Sequence, residues 1–287
     1  MADDLVSHSA GFTRFGRDAQ TAADELGPLA HLVGTWIGSR GWEVIAVPKP
    51  SSGGHDAFDA IIEPYVETVT FVPIGAPVPD RGGDAGNLFL TGLKYEMRIA
   101  ALDTNEPLHL ENGMWFYMEG EDHPIARSSA IPHGDCLLAL GSYDVSPSAP
   151  AIPAGVSSAP DGQPPNVPFG YADPFDPDPD APFNPADVNG TLIKTLAGLN
   201  VVETTTLQVS TTNGGGILNI PFVTAHANAT CFDSTYWIET VEDAKTGQRF
   251  QQLQYSQRTD IEFFQNAEKP EQLIKWPHVN VNTWRKQ

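Results

Sequence analysis

Near the C-terminus one histidine stands between two tryptophans, in IKWPHVNVNTWRK at 274–286. Read with the period of a strand, Ile274, Trp276, His278, Asn280, Asn282 and Trp284 share one face, and Lys275, Val279, Val281, Thr283 and Arg285 the other. His278 has two readings. It is a core histidine held by hydrogen bonds, or it is the axial ligand of a flat apolar cofactor such as heme, whose iron takes a neutral imidazole. A second pattern, PLHLENGMWFYM, puts His109, Glu111, Gly113, Trp115 and Tyr117 on one face. His226 alternates with Ile220, Phe222 and Thr224, while His31, His55, His123 and His133 fall in a helix or near turns and read as solvated. Glu63, Glu67, Glu96 and Glu111 are the candidates for a carboxylate pair, although strand glutamates usually face solvent. The aspartates Asp173, Asp176, Asp178 and Asp180 lack the glycine and terminal glutamate of a calcium loop, so they read as a solvated acidic linker. Gly-x-Ser-x-Gly, Walker, His-Glu-x-x-His and Cys-x-x-Cys motifs are absent.

The elements that would position these residues are almost all strands. Residues 1–20 have no periodicity and read as a flexible N-terminal arm. Thr21 and Asp24 suggest a weak cap, and Leu26, Leu29, Ala30 and Val33 recur at helical spacing up to Gly34. Glycines 34, 38 and 41 around Trp36 and Trp42 indicate a bend in the first strand. In YVETVTFVPIG, Val66, Thr68, Thr70 and Val72 oppose Glu67, Val69 and Phe71. In LFLTGLKYEMRIA, Leu93, Tyr95, Met97 and Ile99 oppose Lys94, Glu96 and Arg98, the cleanest half-buried strand of the chain. ARSSAIP and CLLALGSYDV read as two short strands around a His133-Gly134-Asp135 turn.

Between Pro147 and Pro185 lie 12 of the 25 prolines, which excludes a ladder and implies an extended surface insertion at about 146–190. TLIKTLAGLN fits a helix or a strand. Then VVETTTLQVST, a GGG turn at 214–216, ILNIPFVTAHANA, CFDSTYWIETV and RFQQLQYSQRTDIEFF continue the strands. The expected architecture is all-β: a roughly ten-stranded antiparallel up-and-down barrel with a short N-terminal helix, one domain over 21–287, interrupted by the insertion. Such a barrel has room for an interior ligand.

Sixteen Lys and Arg against 36 Asp and Glu give a net charge of −20, which disfavours nucleic acid and anionic membranes as partners. Cys136 and Cys231 fit no metal spacing, and a reducing compartment is the simpler reading, with one bridge between them left open. No signal-peptide core or membrane-length apolar run is present, so a soluble, cytoplasmic protein without membrane insertion is expected.

Three stretches in order carry a resemblance: LGPLAHLVGTWIG, LKYEMRIAALDTNEPLHLENGMWF and WPHVNVNTWRK. Together they resemble the heme-binding β-barrels of the nitrobindin type, relatives of fatty-acid-binding proteins. The family's Gly-Thr-Trp-x-Gly strand is matched by Gly34, Thr35, Trp36 and Gly38. Its Pro-Leu-His-x-Glu-x-Gly strand is matched by Pro107, Leu108, His109, Glu111 and Gly113, and its last strand by His278, Val279 and Arg285. The chain departs from the family in Ser39, Arg40, Gly41 and Trp42 and in its added length over 146–212. The resemblance implies heme b with iron ligated by His278, and ferrous nitric oxide binding or ferric isomerisation of peroxynitrite. It makes Trp276 and Trp284 candidates for packing near the porphyrin and His109 or His226 candidate pocket groups.

Two functions follow. The first is a heme protein that binds or transforms a small diatomic or peroxide, as a peroxynitrite isomerase or a peroxidase-like enzyme. The alternative is a metal-free carrier of a fatty acid or other apolar ligand, which needs an interior cation. Arg98 and Arg258 are its candidates, although both share faces that look solvent-exposed.

Overall fold

A computed structural model describes residues 25–48, 58–160, 182–265 and 271–287. The arm at 1–20, the Thr21/Asp24 cap, His55 and the aspartates from Asp173 to Asp180 lie outside the described residues. Among the described residues eleven strands follow one another: β1 (Gly34–Pro48), β2 (Phe58–Pro73), β3 (Val78–Arg81), β4 (Asn87–Ala101), β5 (Pro107–Tyr117), β6 (Ile125–Ala130), β7 (Asp135–Ser146), β8 (Val201–Asn219), β9 (Asn228–Glu242), β10 (Arg249–Gln265) and β11 (Leu273–Lys286). Each main strand pairs antiparallel with its sequence neighbour, β1 pairs with β11, and β2 pairs with β4 across the short β3. Ten strands therefore close into a barrel, and β3 is a flap on β4. Closure removes the free edges that an open sheet of this size would expose.

Alternation decides what goes inside. Leu93, Tyr95, Met97 and Ile99 of β4 are buried while Glu96 and Arg98 are exposed. β1 changes phase at a bulge between Gly38 and Gly41, where pairing with both β2 and β11 shifts. These glycines mark close approach. A Cβ on Gly38 would lie 2.4 Å from Trp284 and one on Gly41 2.2 Å from the Tyr65 ring.

The two ends of the barrel are filled differently. A 3-10 helix at Gly27–Leu32 inserts Leu29 and Leu32 into a core with Trp36, Trp115, Tyr236 and Trp284, plugging one end. The other end, ringed by the β4–β5, β6–β7 and β8–β9 connections, holds a cavity. On the outer wall, Val44, Trp237, Val279 and Val281 are covered by Phe183, Val188 and Leu192, and Trp42 stacks on Phe183 at 5.0 Å. The described parts of the insertion thus lie along the side of the barrel, and β11 is buried on both faces. TLIKTLAGLN resolves as a helix, α1 (Gly190–Leu196).

Two local readings are corrected. The three glycines do not turn. They keep positive φ of 144°, 95° and 148° inside β8 and bend it, with a register shift against β7. ILNIPFVTAHANA is not one strand: β8 ends at Asn219 and a short helix, α2 (Pro221–Thr224), follows before β9. Pro221 sits in the first turn, where its missing N–H costs nothing and its fixed φ suits a helix. No described helix is long and apolar enough to cross a membrane. Both cysteine thiols are free.

Candidate functional site

The cavity at the unplugged end has a volume of about 370 Å³, within the range of roughly 300–1,000 Å³ usual for small-ligand sites. Its walls include Ile45, Ile61, Met97, Ile99, Ile131 and Ile261. Into this apolar space three histidines converge: His278 from β11, His109 from β5, and His133 from the β6–β7 turn. Alternation along β11 and β5 points the first two inward. The turn presents the third, whose expected solvation is only half right, since it is exposed and also lines the cavity.

His278 is half-buried, and its ring nitrogens have no hydrogen-bond partner among the described residues. Burial, and after it the proximity of His109 and His133, lowers its pKa from 6.5 to about 4. The imidazole is therefore neutral at physiological pH, with a free lone pair, the form that binds a metal. His109 is held differently. Its Nε2 is 3.2 Å from Glu111 Oε2, and its ring meets His133 edge-on at 4.9 Å.

Behind His109 lies a buried polar network. Glu111 Oε1 accepts from Arg127 Nη2 at 2.7 Å and from the Tyr95 hydroxyl. Arg127 also donates to Tyr95, to Tyr236 at 3.2 Å and to Gln257 at 2.9 Å. Burial opposes charge on Glu111, but Arg127 and the His109 hydrogen bond outweigh it and hold the carboxyl well below its usual range. On the other flank, Asn280 Nδ2 donates to Glu43 Oε2 at 3.2 Å. Burial, and then Glu63 beside it, raises Glu43 to about 7. Asp135 is raised to about 6 by burial and by Glu111, and its Oδ1 is buried without a partner among the described residues.

Strand glutamates thus do not all face solvent: Glu43, Glu67 and Glu111 are inside, whereas Glu96 is outside in an ion pair with Arg98. Arg258 pairs with Asp260 at 2.6 Å. The buried cation among the described residues is Arg127, which the sequence reading passed over. Its signal was the alternation that sets it in step with buried Ile125 and Ser129.

The remaining expected site residues lie away from the cavity wall. Trp276 stacks on Phe263 at 5.0 Å and donates to the Phe263 carbonyl. Trp284 belongs to the plugged half and donates to Glu67 Oε2 at 2.7 Å. His226 is exposed just beyond α2, with its ring against Phe222 at 5.0 Å. Among the described residues no three of His, Cys, Asp and Glu are grouped so as to hold a metal ion together.

Residues 25–152 match the family model described as the THAP4-like, heme-binding beta-barrel domain. The match runs through β7, so it includes His109 and His133 and leaves out His278. No curated protein matches the chain. Among solved structures, the chain is similar to the crystal structure of Rv2717c from M. tuberculosis, at 18% identity over 93% of this chain and 97% of that one, with a TM-score of 0.44.

Proposed function

We propose, on the premise that residues 25–152 are a THAP4-like heme-binding barrel sequence, that the cavity binds heme b with His278 as the protein ligand of iron. The observation that carries this is the neutral, unpartnered imidazole of His278 in an apolar cavity, facing two further histidines. A neutral imidazole that faces a cavity without a hydrogen bond to the described residues is available to a partner held there. Heme, when bound, supplies an iron with an open position for a diatomic or a peroxide. The chain supplies the rest. Ile45, Ile61 and Ile99 present the apolar surface a porphyrin needs, and Glu111, fixed by Arg127, sets the orientation of His109. His109 and His133 are the groups on the pocket side that contact the small oxidant, be it nitric oxide, peroxynitrite or a peroxide, and His109 is placed to exchange a proton with it.

A carrier of fatty acids is less well supported. Arg98 is paired outside the barrel and the guanidinium of Arg127 is already engaged by Glu111. The test is a hemin titration of the full chain beside His278→Ala, followed by visible absorption. A saturable Soret band, lost or shifted in the variant, is expected. A flat titration of the wild-type chain would sink the reading.

A further inference from the structure

Beneath the cavity, two tyrosines each donate to a buried glutamate, and the two pairs differ in one respect. Tyr95 donates to Glu111, which Arg127 keeps ionised. Tyr255, whose ring lines the cavity, donates to Glu67 Oε2 at 2.8 Å, and no ion pair with a cation is present at Glu67 among the described residues. The same oxygen accepts from Asn282 Nδ2 at 2.9 Å and from Trp284 Nε1 at 2.7 Å, while Oε1 is buried without a partner. Burial raises Glu67 to about 7 against these three donors, so near neutral pH it takes up a proton readily. Burial also pushes the Tyr255 phenol well above its usual value, so this side chain does not lose a proton alone.

The surroundings suit electron loss. The Tyr65 hydroxyl lies 2.7 Å from that of Tyr255 and can donate to it. The Tyr255 ring stacks on Tyr236 at 5.3 Å and lies 4.9 Å from Trp284, and Tyr236 meets Trp115 at 5.3 Å. Oxidisable rings therefore run from the cavity floor into the core without a gap.

We propose that Tyr255 and Glu67 form a redox site under the cavity, where a one-electron oxidant derived from a peroxide or nitrogen oxide takes an electron from Tyr255 as its phenolic proton passes to Glu67. The Tyr255 O–H bond breaks and an O–H bond forms on the carboxylate. The products are a neutral phenoxyl, a neutral carboxylic acid and an oxidant reduced by one electron. The oxidant is drawn from the class assigned to the cavity above, and the site rests on that reading only for its natural oxidant.

The test has two arms on the full-length chain, both read by freeze-quench electron paramagnetic resonance. In one, hemin-loaded protein with its Soret band verified is mixed with hydrogen peroxide. In the other, hemin-free protein meets azidyl radical generated by pulse radiolysis. A tyrosyl signal is expected that is lost in Tyr255→Phe and kept in Tyr95→Phe. Glu67→Gln, which keeps a hydrogen-bond acceptor but removes the proton acceptor, should also lose it. Circular dichroism of each variant checks the fold. A Tyr255-dependent signal in either arm supports the site, and in the second arm it does so even if hemin fails to bind. A verified Soret band without such a signal in either arm, or a signal undiminished in Tyr255→Phe or Glu67→Gln, overturns it and leaves the heme reading standing.

Discussion

The same alternating strands build both halves of the barrel interior, yet the halves are filled in opposite ways. At the plugged end, Trp36, Trp115 and Trp284 are fully buried, and the indole N–H groups of Trp36 and Trp284 reach the Leu32 carbonyl and Glu67. At the other end, residues from the same strands stop short of filling the space, and histidines and carboxyls stand around it. The first arrangement supplies stability and the second lines a cavity with groups that can do chemistry. The boundary is the layer of Arg127, Glu111, Tyr255 and Glu67, where polar groups hold the cavity floor on top of an apolar core.

Substitutions should separate the halves. The largest loss of stability is expected at the boundary. Arg127→Met leaves Glu111 buried without its guanidinium partner, at a cost of about 3–5 kcal/mol in chemical denaturation. Adding Glu111→Leu should recover most of that loss. In the plugged half, Trp284→Phe keeps a ring but removes the donor to Glu67, and should cost roughly 1.5–3 kcal/mol by the same measurement. In the cavity half, His278→Ala removes no hydrogen bond to the described residues and should change stability at pH 7 by under about 1 kcal/mol, while abolishing the hemin-dependent Soret band. A stability loss at His278 as large as that at Trp284 would erase the distinction.

The pH dependence sharpens it further, because the groups have opposite signs. His278 falls from 6.5 to about 4 on folding, so its contribution to stability grows as pH rises through that window. Glu67 rises from 4.5 to about 7, so its contribution is greatest at low pH and is lost as pH climbs through that interval. Between pH 4.5 and 6.5 the two oppose each other, and above 6.5 the buried carboxyls act without His278. Denaturation midpoints should therefore decline on the alkaline side. Glu67→Gln should make that decline shallower, and His278→Ala should remove a rise on the acid side.

Much of this was legible in the sequence because it depends on local periodicity. The face of Leu93, Tyr95, Met97 and Ile99, the inward set of His109, Glu111 and Trp115, and the meander order all follow from alternation and turn residues. The polar boundary layer was harder to read. Glu67 shares a face with Val69 and Phe71, but its burial depends on Tyr255 and Trp284, which arrive from 188 and 217 residues away. Arg127 is tolerated inside only because Glu111, Tyr95, Tyr236 and Gln257 meet it there. His133 gave no periodic signal, since it reaches the cavity from a turn.

The bend at the three glycines of β8 has one more consequence. β8 and β9 are paired from Val201/Val241 only as far as Ser210/Asp233, and among the described residues no backbone pairing between them continues beyond that point. What bridges the gap is side chains: the Thr211 hydroxyl accepts from the Phe232 N–H at 3.0 Å, and Asn219 accepts from the Ala229 N–H at 2.9 Å and donates to the Ala229 carbonyl at 3.0 Å. The barrel is continuous in topology, but its wall has a seam beside the cavity, fastened by a hydroxyl and an amide side chain instead of a ladder. Such a seam opens at a lower free energy than the paired wall. In amide hydrogen exchange the cavity-side end of β9 should lose its protection before the stretch from Asp233 to Val241.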